Sequence, residues 1–381
     1  MSEYRQSLSF VTRGIQLVLP SSQQRDLAKA QMMAFIASHG LEDAVEVEDS
    51  ESSPSFVTSF KLKEVWRQKW APEWDTTRLY ETLSLGGYQV KNDLDREIIV
   101  SMLLATIPFE FPSYDEFYSA VQIRHHVVLA GHLAALNFDT DAAERPEEYW
   151  HYDEEAGFLL NHNQSIIQAL IKATQPEDLE HAYSFSCYRA TEYVILLSIA
   201  QELQKVNPPL LKRLEERSES RAIRSGEFHE IFLKEYGSIE EPFPMKYYVP
   251  GDRVWFRNPD SRSSDISGYE GSWVIYLGHN LFTNFWKRDQ PFTLETKCVE
   301  VYHWKDGAYL DQSGELQMDE SIVESCVAKS LAHPEVFKNI LERMMRYRDP
   351  KGVYEQGGCI DTSRESPRLV CIDTSDIHIP D

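Results

Sequence analysis

Cys187 is the residue whose position most clearly predicts chemistry. It ends the segment YSFSC at residues 183–187, in which Ser184 or Ser186 is a suitable N-cap for a helix that continues to about residue 205. A cysteine in the first turn of a helix meets unpaired N–H groups and the positive end of the helix dipole, and both favour the thiolate. The pattern predicts a nucleophile, although a buried structural cysteine fits it equally well.

The helix that follows Cys187 is predicted to lie in the centre of the fold. Residues 193–200, YVILLSIA, are apolar on every side of a helix. From residue 247 the chain becomes β-rich, and short strands are predicted within YYVPGDRVWFRN, GSWVIYLGH, LFTNFWK and KCVEVYHW. A cysteine that opens a central helix, followed by an antiparallel sheet that supplies a base, is the layout of papain-like cysteine transferases and proteases.

The amino-acid composition limits which binding partners and which cellular locations we expect for the protein. The chain carries 38 basic and 61 acidic residues, a net charge of −23, so it should repel nucleic acid and anionic membrane surfaces. No apolar run is long enough for a membrane span, and the N-terminus has no secretory signal pattern. Five cysteines without C-x-x-C spacing fit free thiols in a reducing compartment. We expect a cytoplasmic location, with export by a dedicated machinery left open.

The chain is predicted to divide into five segments by changes in composition and periodicity. They are an N-terminal α/β segment (1–41), an acidic, Ser-rich mobile linker (42–55), a helical extension (56–105), the main domain (106–347) and a polar tail (348–381). The tail contains the sequence CIDTS twice, at residues 359–363 and 371–375. Two copies are too few for a solenoid, so the repeat is predicted to be a strand pair or a docking peptide used twice.

The order of segments from Pro108 to Arg346 resembles the bacterial spore-coat transglutaminase family, whose members catalyse protein-glutamine γ-glutamyl transfer. The matching segments are, in order, PFEFPSYDEF with its helix, YWHYDEEAGFLL, the FSC entry to the apolar helix, YYVPGDRVWFRNPD, GSWVIYLG and AHPEVFKNILERMM. The signature G-D-x-x-x-F-x-N-P occupies residues 251–259. The resemblance implies an α+β fold with a papain-like, NlpC/P60-like core, preceded here by an N-terminal extension.

Carried over residue by residue, the resemblance places Cys187 on the nucleophilic cysteine of the family. The residues expected to assist it are different in this chain. The family has a glutamate directly before the cysteine, where this chain has Ser186. The second carboxylate of the family, after a glycine at the head of the next strand, corresponds to Ser272, and its histidine falls near Asn284 and Phe285.

Neighbouring residues are candidates for the missing catalytic roles. Glu270 lies two residues before Ser272 and would share its face of an extended strand. His279 follows the same strand, Asn284 is predicted on the next strand and His303 on the one after. Glu270 and His279 are the preferred pair because a general base must change its charge. Each of them also fits a solvated turn residue or a hydrogen-bonded polar group of the sheet.

The resulting hypothesis is a two-step acyl transfer. The Cys187 thiolate would attack the carboxamide of a glutamine and form a thioester, which a lysine amine (cross-linking) or water (deamidation) would resolve. Trp273, Phe282, Phe285 and Trp286 are predicted to line the substrate site, although they also fit ordinary core positions of a sheet. The scheme needs no metal or other cofactor, and its partners are proteins with accessible glutamine and lysine. The alternative is an inactive member of the fold that serves as a protein-binding module.

Overall fold

The computed structural model describes residues 9–52, 54–138, 143–177, 181–222, 225–349 and 358–380. The first eight residues of the predicted N-terminal segment, and residues 350–357 and 381 of the predicted tail, lie outside these ranges. The first layer is a sheet with the strand order β2-β3-β1-β4, in which β1 pairs antiparallel with β3 and parallel with β4. Its elements are β1 (Ile15–Leu19), α1 (Ser22–Ser38), β2 (Val45–Ser52), β3 (Ser55–Leu62) and β4 (Phe109–Phe111).

Within the acidic stretch 42–55, predicted to be a mobile linker, residues 45–52 instead form the edge strand of this sheet. Strand β2 pairs antiparallel with β3 along its whole length. Its acidic side chains find partners: Lys61 Nζ lies 2.6 Å from Glu48, and Thr58 donates a hydrogen bond of 2.8 Å to Asp49. The linker prediction failed because the charges belong to cross-strand pairs of a solvent-facing edge, which local composition cannot distinguish from a linker.

A helical layer follows, and α7 lies at its centre. Within α7 the side chains of Val194, Ile195 and Leu197 are at most 1% exposed, so the predicted burial of this helix is confirmed. No helix of the described residues is both long and apolar enough to cross a membrane. The helices are α2 (Glu64–Trp70), α3 (Leu79–Thr82), α4 (Lys91–Leu103), α5 (Tyr114–Leu133), α6 (Ile166–Thr174), α7 (Cys187–Val206), α8 (Pro208–Ser218) and α9 (Ser225–Phe232). The short strands among them are β5 (Asn137–Phe138), β6 (Trp150–Asp153), β7 (Gly157–Leu160) and β8 (Ser184–Phe185).

A five-stranded antiparallel sheet supports α7. Its strands are β9 (Leu233–Tyr236), β10 (Arg253–Arg257), β11 (Gly271–Gly278), β12 (Leu281–Phe282) and β15 (Arg364–Pro367), in the order β12-β11-β10-β15-β9. A separate hairpin consists of β13 (Ala308–Leu310) and β14 (Leu316–Met318). Helix α7 packs against β11. The predicted α+β class, with a central buried helix on an antiparallel sheet, is therefore confirmed.

Residues 297–304, predicted to be a strand, form the middle of a helix instead. A capping box between Thr293 and Thr296 starts this helix. The alternation of Val299 and Val301 suggested a strand, but the local helix start and packing against two further helices decide the outcome. The three helices are α10 (Leu294–Gly307), α11 (Glu320–Leu331) and α12 (Pro334–Met344).

The C-terminal segment, predicted to be a polar tail, is part of the core. Strand β15 lies between β10 and β9 in the main sheet. The two CIDTS copies occupy different places: Ile360 of the first forms a bridge with Phe256, whereas Cys371 of the second binds helix α5 through its backbone. The repeat is thus neither a strand pair nor one peptide used twice in the same way.

Glu116 connects α5 to this C-terminal segment. The Oγ of Ser113 accepts a hydrogen bond from the N–H of Glu116 and caps α5. The Glu116 side chain does not return to Ser113. It accepts hydrogen bonds from the backbone of Val370 (3.0 Å) and Cys371 (2.9 Å) and from the hydroxyl of Thr374 (2.6 Å). A buried carboxylate with three donors is a strong tether.

Glu116→Gln is expected to lower the free energy of unfolding by about 2 kcal/mol, because an amide cannot accept all three hydrogen bonds and presents an N–H to a donor. Urea unfolding measures this loss, with the exposed Glu110→Gln as the matched control. A stability for Glu116→Gln equal to that of Glu110→Gln would contradict the tether.

A buried carboxyl group links the N-terminal extension to the sheet. The Glu97 side chain of α4 has no exposed surface, and its Oε1 accepts a hydrogen bond of 2.9 Å from the N–H of His279. Its Oε2 lies 3.4 Å from Nε2 of His279. Burial raises the pKa of Glu97 to about 8, so the group is largely protonated at neutral pH.

Glu97→Gln is expected to be more stable than the wild type at pH 8, with the difference shrinking to near zero at pH 4.5. The folded state keeps this proton up to about pH 8, whereas the unfolded chain releases it near pH 4.5. The wild type therefore loses about 1.4 kcal/mol of stability per pH unit between these values. Chemical unfolding at pH 5 and pH 8 tests this, and an equal difference at both pH values would contradict it.

Candidate active site

Cys187 is the first residue of α7. The cap is Ser186, whose Oγ accepts a hydrogen bond of 3.3 Å from the N–H of Arg189. Of the two serines that the sequence allowed as the cap, Ser184 lies instead in strand β8. The thiol is free, and the residue is partly exposed. The local sequence thus places a thiol at the N-terminal end of the buried helix, as predicted.

Two opposing effects act on the thiol. Burial is the larger and raises the pKa of Cys187 above its ordinary value. Hydrogen bonds from the backbone N–H groups of Trp273 and Tyr188, and the positive charges of Lys297 and Arg253, act in the opposite direction. The helix-start argument alone predicted a lowered pKa. It omitted the cost of removing a thiolate from water, which is the largest of these effects.

Cys187 opens into a cavity of about 400 Å³, here called the thiol cavity. Its walls come from the β10–β11 connection, the turn after β12, and helices α10 and α11. The aromatic side chains that line it are Phe138, Tyr269, Trp286, Phe292 and Trp304. Its charged side chains are Lys287, Lys297, Glu300, Glu320 and Glu324. Such a mixture of aromatic walls and few charges is typical of a small ligand or side-chain site.

Of the candidate helpers predicted from sequence, Asn284 lies in the thiol cavity. Its Nδ2 donates to the carbonyl of Gln290 (3.0 Å), and its Oδ1 accepts from the N–H of Lys287 (3.1 Å). Asn284 therefore holds the turn that carries Trp286 and Lys287 into the cavity wall. Ser272 also lines the cavity. The sequence resemblance matched this residue to the second carboxylate of the family.

The structure does not bring Glu270 and His279 into the thiol cavity. Glu270 is exposed, and its carbonyl accepts a hydrogen bond of 3.1 Å from the N–H of Asn258. His279 occupies the tight turn between β11 and β12 with a φ of 55° and packs on Tyr80 and Glu97. Among the described residues that line the cavity there is no histidine. The catalytic role predicted for Glu270 and His279 therefore stays a prediction, since neither side chain lines the cavity that holds the Cys187 sulfur.

The four aromatic residues predicted to bind substrate have three different placements. Trp286 lines the thiol cavity, where its ring lies 5.2 Å from that of Phe138. Trp273 contributes its backbone N–H to the sulfur, while its ring packs edge-on against Tyr188. Phe282 and Phe285 are at most 3% exposed and belong to the sheet core.

The thiol cavity also contains a lysine–glutamate pair that the sequence did not predict. Lys297 Nζ lies 2.6 Å from Glu300 and 4.1 Å from the centroid of the Phe292 ring. The Lys297 side chain is only 4% exposed. The two residues are i and i+3 of α10, and the spacing places them on one face only if residues 297–304 are helical. Reading this stretch as a strand concealed the pair.

Arg253 anchors the start of α7 to the sheet. Its Nε donates to Oγ1 of Thr191 (2.8 Å), and its Nη1 lies 2.9 Å from Glu365 of β15. The guanidinium also lies over the rings of Tyr188 (4.3 Å) and Trp273 (4.2 Å). These contacts fix the backbone N–H groups that donate to the Cys187 sulfur.

A second cavity, of about 360 Å³, adjoins Ser186, the residue before Cys187. Ser186 lines it together with Arg145, Arg189 and Glu192. The Arg145 guanidinium lies 3.4 Å from the centroid of the Phe185 ring, and Arg189 pairs with Glu192 at 2.7 Å. Consecutive residues at the start of α7 therefore face two cavities of different charge.

A further polar network joins α10 to α11 outside the thiol cavity. His303 hydrogen bonds to Asp306 (2.6 Å) and to Ser330 (2.7 Å). The possible metal-ligand atoms of His303, Asp306 and Cys326 lie within 4.8 Å of one another. The order Ser330–His303–Asp306 is that of a hydrolase triad. Ser330 is only 4% exposed and lines none of the four cavities described for this structure.

Comparison with known proteins identifies a family. The family model for protein-glutamine gamma-glutamyltransferase matches residues 80–369, from the middle of the predicted helical extension through strand β15. Similar solved structures include a transglutaminase from Geobacillus stearothermophilus without its C-terminal extension. The two chains share 14% identity with a TM-score of 0.38, over 67% of this chain and 94% of that one. No curated protein matches this chain.

The family model spans most of the chain, so the family resemblance inferred from sequence is confirmed. The protein belongs to the protein-glutamine gamma-glutamyltransferase family.

Proposed function

We propose that the chain is an active, cysteine-dependent acyltransferase that acts on protein glutamine, with Cys187 as the nucleophile. The observation that carries the proposal is the placement of the thiol. Cys187 opens a central helix, faces a cavity of about 400 Å³ and receives two backbone N–H groups. A structural cysteine would not need a cavity or converging donors, whereas a nucleophile needs both.

The proposed reaction has two steps. The Cys187 thiolate attacks the glutamine carboxamide, and the oxygen of the tetrahedral intermediate takes up the hydrogen bonds of the N–H groups of Tyr188 and Trp273. Ammonia leaves and a thioester remains. A lysine amine then attacks the thioester to form an isopeptide bond. If water attacks instead, the product is a glutamate. The aromatic walls formed by Trp286 and Trp304 favour the amine because they exclude water.

The second candidate is a binding module without catalysis. It is favoured by Ser272 and Asn284, which stand in the thiol cavity at the positions where the family has a carboxylate and a histidine. Neither side chain changes charge near neutral pH, so neither can replace a general base. On this alternative, the thiol cavity would hold a partner side chain without forming a covalent bond to it.

Incorporation of a fluorescent primary amine into a glutamine-rich acceptor protein separates the two candidates. The wild type is expected to incorporate the amine and release ammonia, and Cys187→Ala is expected to lose at least about 100-fold of both rates. Cys326→Ala is the matched control, because Cys326 is the other partly exposed cysteine and does not line the cavity. It should retain the wild-type rate.

Two results would change the assignment. Ammonia release that depends on Cys187 without amine incorporation would identify a glutamine deamidase. Equal rates for the wild type and Cys187→Ala in both measurements would contradict catalysis and leave the binding module.

We also propose that the protein partner is basic and lysine-rich, since the net charge of −23 would draw such a partner. Incorporation into a basic acceptor should slow when salt is raised from low to physiological ionic strength, because surface charges are then screened. A rate that does not depend on salt would contradict this choice of partner.

A further inference from the structure

The thiol cavity buries a positive charge that the reaction scheme above does not use. The side chain of Lys297 is 4% exposed and lines the same cavity as Cys187. Its charge acts on the sulfur, since it is among the influences that lower the pKa of the Cys187 thiol. The ammonium lies between the Phe292 ring and the carboxylate of Glu300.

Stability alone does not account for a buried ammonium at this position. Removing the Lys297 charge from water is expensive, its partner Glu300 stays 25% exposed, and apolar replacements for buried ion pairs are often equally stable. The cavity wall is otherwise aromatic around the pair, with Phe292 at 4.1 Å and Trp304 at 6.0 Å from Lys297 Nζ. An apolar side chain would fit this wall equally well, so the presence of a charged one indicates a functional role.

We propose that Lys297 is the proton-transfer group for Cys187 and that Glu300 is its positioning residue. The inference deepens the proposed function and rests on it. A nucleophile, a titratable partner and a third group that orients the partner make up the general arrangement of activated nucleophiles. In this site the titratable partner is Lys297 and the orienting group is Glu300. Both belong to α10, and not to the strands from which the sequence predicted these roles.

The proton balance of the two steps is complete with one lysine. The reaction starts from the reactive form of the site, in which the sulfur is deprotonated and Lys297 carries a proton. The thiolate attacks the carboxamide, Lys297 gives its proton to the leaving nitrogen, and ammonia departs from the thioester. The neutral Lys297 then takes a proton from the incoming alkylammonium. The free amine attacks the thioester, the thiolate leaves, and the remaining proton goes to ammonia.

The other charged groups near the thiol do not serve this purpose. Arg253 does not release its proton at any relevant pH. Lys287 pairs with Glu324 at the exposed rim of the cavity, and Glu320 accepts a hydrogen bond from Tyr269. Among the charged side chains described in the cavity wall, that of Lys297 is the most deeply buried.

Three variants of Lys297 and Glu300 test the proposal against Lys305→Met, a lysine of the same helix outside the cavity. Each variant is measured for Cys187-dependent amine incorporation and for the pH dependence of Cys187 alkylation by iodoacetamide. Lys297→Met should lose about 100-fold or more in turnover, and its alkylation should require a higher pH because the thiolate loses a cation. Glu300→Gln should lower turnover less, and Lys305→Met should match the wild type.

Lys297→Arg is the decisive variant because it keeps the charge but cannot exchange the proton. The expected result is near-normal alkylation with turnover reduced about 100-fold. Wild-type turnover in Lys297→Arg would overturn proton transfer. Turnover in Lys297→Met within about threefold of the wild type would overturn any chemical role for the residue. Loss of all dependence on Cys187 would instead overturn the proposed function, so the two failures are distinguishable.

Discussion

The buried guanidinium of Arg253 is the contact on which the geometry of the site depends. It joins β10 to Thr191 of α7 and to Glu365 of β15, and it lies over the rings of Tyr188 and Trp273. A buried charge that loses one partner costs about 3–5 kcal/mol. The start of α7, the main sheet and the C-terminal segment are therefore stable only in one mutual arrangement, and that arrangement aims two backbone N–H groups at the sulfur.

Desolvation is the second constraint, and it acts on both reactants. A thiol in an aromatic cavity is harder to ionise than one in water, so the pKa of Cys187 is raised. The same exclusion of water favours attack on the thioester by an amine. Nearby cations offset part of the cost of ionising the thiol. Lys297 and Arg253 both favour the thiolate, but only the lysine can also exchange a proton.

The sequence sufficed to place Cys187 at the start of a buried helix, because the cysteine, its cap and the helix are all local features. It did not suffice for the residues around the sulfur. The stretch 297–304 has the alternation of a strand, yet its capping box and tertiary packing make it helical, and this error concealed Lys297. The acidic stretch 42–55 and the C-terminal segment looked like a linker and a tail. Their pairing partners are distant in sequence, so no local pattern could reveal the strands that they form.

The most direct test of a covalent mechanism is the intact mass of the protein, quenched in acid during turnover with a glutamine peptide. The account predicts an adduct equal to the peptide less one ammonia, mapped to Cys187 by digestion and absent from Cys187→Ala. Addition of a primary amine should discharge it. A protein that binds the peptide but carries no adduct at Cys187, under conditions where ammonia is released, would contradict the thioester and with it the central claim.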